Sequence, residues 1–308
     1  MSEQNTRATA GPSSKAATYR GAVRMPATCG ELAQGALGGV HFHVSCPVDM
    51  YATIEVELDP RLEDITADAG HAKARAACEA ALADIGGKHL GGKLTIRSPI
   101  PRAKGMGSST ADVAGAIYAV GQALGIVLPP RRVAELALEI EPTDGSIFPD
   151  VVVFDHRQGL ILEALGPPPP LGILCLDFGG EVDTVEFNCT DRSAALRETE
   201  PATRRALEFI KDGFALQRPD LIGAGATLSA EANQCILFKP AFDSVGRFAE
   251  DIGALGVVAA HSGSILGILF DPGRCDGRQL KVLAHRTLPT LRVSYLHRIT
   301  GGGARPLL

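Results

Sequence analysis

The sequence predicts an α+β protein of two domains, and three observations carry the prediction. Strand-like and helix-like segments mix in both halves of the 308-residue chain without strict βαβ alternation. Four consecutive prolines, Pro167 to Pro170, fall close to the midpoint, and so stiff a segment cannot enter a sheet. Hydrophobic residues make up 45% of the chain, enough for buried cores; with Trp absent and aromatics at 5%, packing must rest on Ala, Val, Leu and Ile. The expected organisation is a tail over 1–18, a first domain over 19–166, a proline linker over 167–170 and a second domain over 171–308. The tail is polar, lacks the apolar core of a signal peptide and reads as disordered.

Arg20 to Pro26 reads as a short first strand, and Ala27 to His43 as a glycine-rich loop with a hairpin around Gly38-Gly39. Val48, Met50, Ala52, Ile54, Val56 and Leu58 recur at period two, which marks a half-buried strand. The alanine-rich run His71 to Ile85, stopped by Gly86-Gly87, is helical, and Lys93 to Ser98 is a strand. A helix from about Ser109 to Leu124 carries Val113, Ile117, Val120 and Leu124 at helical spacing. Its Ala114, Gly115 and Ala119 suit close packing, and Gly125 ends it. Pro130 starts another helix that runs to Ile140, followed by a strand over Val151 to Phe154. Beyond the prolines, Leu171–Asp177, Val257–Ala260, Ile265–Phe270 and Leu291–His297 read as strands. Ala202–Arg218, Pro219–Gln234 and Phe242–Leu255 read as helices.

A net charge of −5 argues against a general nucleic-acid binder, which would show a basic field, but is compatible with a small anionic ligand held by local groups. Seven cysteines without a C-x-x-C pair argue against a zinc site or a disulfide framework and fit reduced thiols in the cytoplasm; Cys29 reads as a small buried filler. No stretch of eighteen uninterrupted apolar residues suggests a membrane span.

The stretch Pro101-Arg102-Ala103-Lys104-Gly105-Met106-Gly107-Ser108-Ser109-Thr110-Ala111 is built to hold a phosphate. Its glycines let main-chain N–H groups turn toward an anion, its serines add hydroxyls, and the following helix points its positive end at the charge. The pattern Pro-x3-Gly-x-Gly-Ser-Ser-x-Ala arises by chance in a chain this long on the order of once in ten thousand or less. It is neither the common P-loop, since Lys104 precedes the glycines, nor the dinucleotide fingerprint, since the third glycine is missing.

The chain resembles the GHMP kinase superfamily over about residues 20–300. That superfamily's second motif is matched by Pro101 to Ala111, its first by Pro26-Ala27-Thr28-Cys29-Gly30-Glu31, and its third by His261-Ser262-Gly263-Ser264-Ile265-Leu266-Gly267. Within it, the segments Pro26 to Gly35, Ser45-Cys46-Pro47-Val48-Asp49, Ile140-Glu141-Pro142-Thr143-Asp144, Phe154-Asp155-His156 and Ala260 to Ser264 resemble the L-threonine kinases of cobalamin biosynthesis. The resemblance implies a nucleotide-binding N-terminal α/β domain and a C-terminal α+β domain. It also implies transfer of phosphate from ATP, with Mg²⁺, to the hydroxyl of L-threonine, whose product supplies the aminopropanol linker of cobalamin.

On that resemblance Lys104 to Thr110 wrap the ATP phosphates, with Pro101, Arg102 and Ala103 leading in. Ser108 faces phosphate, and Ser109 with Glu141 faces Mg²⁺, although Glu141 reads equally as a solvated helix-end residue. Asp144 is the catalytic candidate for the attacking hydroxyl; a local turn role is the alternative. Superfamily members with this aspartate often pair it with a first-loop lysine, but Thr28 stands at that position, so either another cation such as Lys104 or Arg24 substitutes or proton removal needs no strong base. Glu31 and Asp49 are candidates for the threonine ammonium, and His261 with Ser262 for the pocket wall. His41, His43, His156 and His297 form no metal-ligand pattern. Two rival functions stand beside this one: a homoserine-type kinase, and a nucleotide-binding regulator without turnover.

Overall fold

Two long strands organise the molecule. The computed structural model describes residues 18–182 and 190–307. In it β1 (Tyr19–Leu37) and β2 (Val40–Asp59) pair antiparallel along nearly their whole length. Gly38 and Gly39 close the hairpin at φ 58° and 82°, a two-residue turn that suits the right-handed twist of the strands. Apart from its last position, the tail expected over 1–18 lies outside the described residues.

The expected loop over 27–43 is instead sheet, apart from the turn at Gly38-Gly39. Ala27 to Ala36 are buried on both faces, so polar and apolar residues do not alternate there and the period-two signal vanishes. Register shifts between Pro26 and Ala33 bend the strand, and Gly30, at φ 60°, lies so close to Ala259 and Ala260 that a Cβ would meet their backbone at 2.7–2.9 Å.

Next along the chain come β3 (Ile65–Ala67), α1 (Ala72–Asp84), β4 (Gly91–Arg97), α2 (Ser108–Ala123) and α3 (Pro130–Ile140). A single 3₁₀ turn (Gly145–Ile147) leads into β5 (Val151–Phe154) and β6 (Leu162–Gly166). The prolines connect β6 to β7 (Gly172–Asp177). Then follow α4 (Ser193–Ala215), α5 (Pro219–Asn233), α6 (Phe242–Asp251), β8 (Gly256–Ala259), β9 (Leu266–Phe270), α7 (Gly277–Thr287), β10 (Val293–Arg298) and β11 (Arg305–Pro306).

Among the described residues one sheet runs in the order β10-β7-β9-β8-β1-β2-β4-β3. β1 is its joint. It pairs with β2 on one side and meets β8 on the other through Glu31 and Ala259. One hydrophobic cluster spans both halves of the chain; a second, with Leu174, Phe248, Val257, Ile268 and Phe270, belongs wholly to the C-terminal half.

α2 lies on β1 and β2, and its small residues allow it to come close. A Cβ on Gly21 of β1 would strike the Ala119 carbonyl at 2.1 Å, and one on Gly115 would strike Ile54 at 2.6 Å. α4 begins at Ser193, earlier than the sequence suggests, because Pro201 sits inside the helix instead of opening it. α7 was not expected: it is mostly polar, buries only Leu280 and Ala284, and is announced by an Asp276 cap on the Arg278 N–H at 2.9 Å. No helix among the described residues is long and apolar enough to cross a membrane.

Candidate active site

The loop between β4 and α2 supplies one wall of a cleft of about 600 Å³. Ala103, Gly105 and Gly107 all take positive φ (58°, 81° and 68°), so the chain turns sharply into the helix. Gly107 precedes α2, and no side chain caps the helix. The first-turn N–H groups of Ser108, Ser109 and Thr110 therefore remain available, together with the positive end of the helix dipole.

Two other segments clamp this loop. Thr28 N–H donates to the Met106 carbonyl at 3.0 Å, and Gly30 N–H to the Gly105 carbonyl at 3.2 Å. Ile265 N–H donates to the Lys104 carbonyl at 3.0 Å. A Cβ on Gly263 would meet Lys104 and Gly105 backbone at 2.2–2.3 Å, so the glycine is what lets the 261–264 turn close on the loop. The three glycine-bearing segments singled out in the sequence thus converge.

Most of the residues expected to hold phosphate do line the cleft: Arg102, Ala103, Gly105, Met106, Gly107, Ser108, Ser109 and Thr110. Pro101 and Lys104 do not. Lys104 turns away, its Nζ donating to the Gly180 carbonyl at 2.6 Å and pairing with Asp177 at 3.4 Å, so it is no substitute for the missing first-loop lysine. Arg24 is likewise committed, packed over the Tyr51 ring at 5.3 Å. The Arg102 guanidinium pairs with Asp112 at 3.3 Å and donates to the Gly70 carbonyl at the opposite rim.

Ser109 Oγ donates to Glu141, whose other oxygen pairs with Lys73 Nζ at 2.5 Å. A hydroxyl and a carboxylate beside free backbone N–H groups form an all-oxygen donor set that suits Mg²⁺ completed by phosphate oxygens and water. Lys73, in the first turn of α1, was not foreseen, because nothing local to that helix marks it.

Asp144 follows α3 and faces the same cleft, its side chain 19% exposed. Its N–H donates to Thr110 Oγ1 at 3.1 Å, which also accepts from Thr143 Oγ1 at 3.2 Å, so the phosphate-loop helix itself fixes the aspartate. The next N–H, of Gly145, is held by Ser45 Oγ at 3.2 Å. A Cβ on Gly107 would come within 2.9 Å of Thr28 Oγ1 and 3.1 Å of Asp144 Oδ2, which places both side chains against the loop. Burial, and then the nearby Glu141 charge, raise the Asp144 carboxyl to about 6.

Glu31 lies beside it. Its Oε2 accepts the His261 N–H at 2.6 Å, and it lines the cleft with Ser262. Burial, and then the charge of Asp144, push its carboxyl well above the usual range, while the His261 N–H and Lys239 pull it back. Lys239 is itself buried, donates to the Ala260 carbonyl at 2.7 Å and is pulled down to about 8, chiefly by burial. Asp49 does not join this group. It accepts from His297 Nδ1 at 2.9 Å and from Arg298 N–H at 3.0 Å, and lines a separate cavity with Arg274 and Arg278.

Three histidines from three segments meet behind the carboxylates. His43 and His156 stack with ring centroids 3.6 Å apart and planes 8° apart, and the His261 ring meets His43 edge-on at 4.4 Å. His261 is oriented by Gln34 Oε1, 2.8 Å from its Nδ1. Burial holds all three imidazoles below their usual range, with neighbouring histidines (for His43 and His156) and Arg157 adding to it, so they are neutral at pH 7. His43 lies with Glu31 and Asp144 as well, the three ligand atoms within 4.8 Å of one another. A shared metal ion does not fit the three rings as they stand, because an ion binds in the plane of an imidazole and stacked parallel rings have no common in-plane point. The spacing of His41 and His43 gave no hint of this cluster; only the approach of β2 to the segment after β5 creates it. A second cavity of about 550 Å³, lined by His41, Arg157 and Glu200, reaches His261 from the far side.

Comparison with known proteins agrees with this geometry. The model of the GHMP kinases N-terminal domain matches residues 72–154. An L-threonine kinase from Salmonella typhimurium is 35% identical over 283 residues, covering 90% of this chain and 93% of its own. One from Citrobacter freundii is 34% identical over 90% of this chain and 96% of its own. The crystal structure of a homoserine kinase from Cytophaga hutchinsonii superposes with a TM-score of 0.70 at 18% identity, covering 97% of this chain and all of that one, a likeness of fold.

Proposed function

The chain belongs to the GHMP kinases and, within them, to the L-threonine kinase family, and from that premise we propose how this cleft performs ATP-dependent phosphorylation of L-threonine. The products are O-phospho-L-threonine and ADP. The observation that carries the assignment of roles is the meeting at Gly107: Thr28 of the first motif and the Asp144 carboxylate both lie within 3.1 Å of where a Cβ on this phosphate-loop glycine would stand.

Phosphoryl transfer asks a protein for positioning and charge neutralisation more than for covalent chemistry. The N–H groups of Gly105 to Thr110 and the α2 dipole hold the triphosphate, with Ser108 Oγ adding a donor. Ser109 and Glu141 hold Mg²⁺, which neutralises phosphate charge when bound. Lys73 keeps the Glu141 carboxylate in place. Asp144 orients the threonine hydroxyl and accepts its proton as the oxygen attacks the γ-phosphorus and the bond to the β–γ bridging oxygen breaks. Glu31 takes the ammonium: two carboxylates this close disfavour charging both, and a bound cation relieves that. The acceptor's amine and hydroxyl sit on adjacent carbons, about 3 Å apart when gauche, which matches the spacing of Glu31 and Asp144 oxygens within 4.8 Å. Homoserine, with one more methylene, fits that spacing less well. We further place the product in supply of the aminopropanol linker of cobalamin, a reading supported by the likeness of Pro26–Gly35 and Ala260–Ser264 to enzymes of that route and tested by a gene neighbourhood rich in corrinoid functions.

ADP release measured with L-threonine, L-serine, L-homoserine and no acceptor tests the assignment. Turnover is expected to require an acceptor and to be fastest with L-threonine; acceptor-independent ADP formation or faster use of L-homoserine would sink it.

A further inference from the structure

We propose that His43 is the positioning partner of Asp144, donating its Nδ1–H to the carboxylate in the place that Thr28 leaves without a cation. The inference rests on the reading of Asp144 as the residue that faces the acceptor hydroxyl.

His43 Nδ1 stands 4.0 Å from Asp144 Oδ1. Among the described residues no other basic side chain pairs with Asp144, and the cations near the cleft are committed elsewhere. Lys73 pairs with Glu141 at 2.5 Å, Arg102 with Asp112 at 3.3 Å and Lys104 with Asp177 at 3.4 Å, while Lys239 donates to the Ala260 carbonyl. His43 is 4% exposed, and neither of its ring nitrogens has a hydrogen-bond partner among the described residues. A buried donor left so costs about 1–3 kcal/mol, and a carboxylate is the partner that removes the cost with the largest gain. Closing the gap to hydrogen-bond length takes about 1 Å of movement, within reach of one rotation of the aspartate side chain.

The ring is also held for this task. His156 stacks on its face at 3.6 Å and His261 abuts it at 4.4 Å, so it cannot swing away. Phe154 lies opposite it in the β2–β5 pairing, and the Thr143 N–H donates to the His156 carbonyl at 2.9 Å, which ties the stacked ring to the segment that carries Asp144. A neutral imidazole suits the role. It orients the carboxylate and favours its charged form, yet adds no full positive charge beside a site that must also accept the threonine ammonium.

Nδ1, the nitrogen nearer the backbone, faces Asp144, and that makes the test sharp. An asparagine amide nitrogen falls close to where Nδ1 sits, whereas a glutamine amide falls close to Nε2. His43→Asn is expected to keep kcat within about threefold of the parent, and His43→Gln and His43→Leu to lose about tenfold or more, the loss of one hydrogen bond to a charged group. KM for L-threonine and for Mg·ATP is expected to stay within about twofold throughout. A space-filling role predicts the reverse order, since glutamine is closer to histidine in volume. A kcat for His43→Gln equal to or above that of His43→Asn overturns the proposal. Should His43→Leu melt below the assay temperature, the Asn and Gln variants, checked by thermal melting, decide alone. In combination with Asp144→Asn, His43→Gln is expected to cost nothing further; multiplied losses would show two independent roles. A parent enzyme without threonine-dependent turnover would refute the function proposed for the site, whereas an active parent with unaffected His43→Gln refutes only the pair.

Discussion

The two walls of the cleft are made differently. The donor wall is backbone: a single contiguous loop, Ala103 to Gly107, presents N–H groups and a helix end, and its side chains are mostly small or turned away. The acceptor wall is side chain: Glu31 from β1 and Asp144 after α3 face the cleft, and His43 from β2, His156 after β5 and His261 after β8 pack behind them, so five segments converge. Phosphate presents the same oxygens in every nucleotide, so a fixed backbone cradle is enough. A small zwitterion must be told from its neighbours by where its charges lie, and that takes carboxylates placed by the whole sheet. The donor wall should therefore fail when a Cβ is added, and the acceptor wall when a functional group is changed with the shape kept.

Gly107→Ala is the most severe test of the first half of that contrast. At φ 68° a Cβ is strained, and here it would also press on Thr28 Oγ1 at 2.9 Å and Asp144 Oδ2 at 3.1 Å. A loss of at least about 100-fold in kcat/KM is expected, with weaker ADP binding by calorimetry, because one methyl disturbs both walls. Intact ADP binding in that variant would mean that the cradle does not depend on this turn.

Asp144→Asn tests the second half. The shape is kept and the proton acceptor removed, so kcat should fall about 100-fold while ADP binds as before. The same change should stabilise the protein. The carboxyl sits at about 6 in the folded chain against an ordinary 3.8, so the folded form holds its proton to higher pH than the unfolded form. Stability is therefore lost as pH rises from about 4 to 6, on the order of 3 kcal/mol once both forms are ionised. The melting temperature of Asp144→Asn is expected to exceed the parent's at pH 8, by about half as much at pH 5, and to approach it near pH 4. In the parent, kcat/KM for L-threonine should fall on an acid limb near pH 6, where Asp144 of the unliganded site takes up its proton; a profile flat down to pH 5 would remove it as proton acceptor.

The donor wall was legible in the sequence because it is local. Pro101 to Ala111 is one run of residues, and its glycines and serines announce the turn, the close approach and the helix start. Asp144 and Glu31 were reachable through resemblance and through a charge set in a segment with no need of one. His261 was reachable as a pocket-wall residue, but His43 and His156 were not. His43 lies on a strand that the glycines of 30–39 disguise as a loop, and its partner His156 is more than a hundred residues away. Lys104 shows the opposite failure: its position in the motif suggests a phosphate ligand, but Asp177 at the end of β7 and the Gly180 carbonyl just beyond it hold it.

Ser109→Ala sits between the walls and should have a middling effect. It removes the hydroxyl that meets Glu141 but leaves every backbone donor in place. KM for Mg·ATP is expected to rise about fivefold, the scale of one hydrogen bond, and KM for L-threonine to stay unchanged. Unchanged nucleotide kinetics would mean that backbone alone holds the donor.

The smallest effect expected is at Asp49, and it bounds the acceptor wall. Aspartate in a segment that resembles threonine kinases is a reasonable ammonium ligand on paper. In the fold its Oδ1 is taken by His297 and the Arg298 N–H, it is 43% exposed, and it faces a cavity without the phosphate loop. Asn at this position keeps an oxygen for both bonds, so Asp49→Asn should leave kcat and KM for L-threonine within about twofold and cost no more than about 1 kcal/mol of stability. A tenfold rise in the threonine KM would move the amino-acid site to the Arg274–Arg278 cavity, away from Glu31, and would break the picture of one cleft with a backbone wall and a side-chain wall.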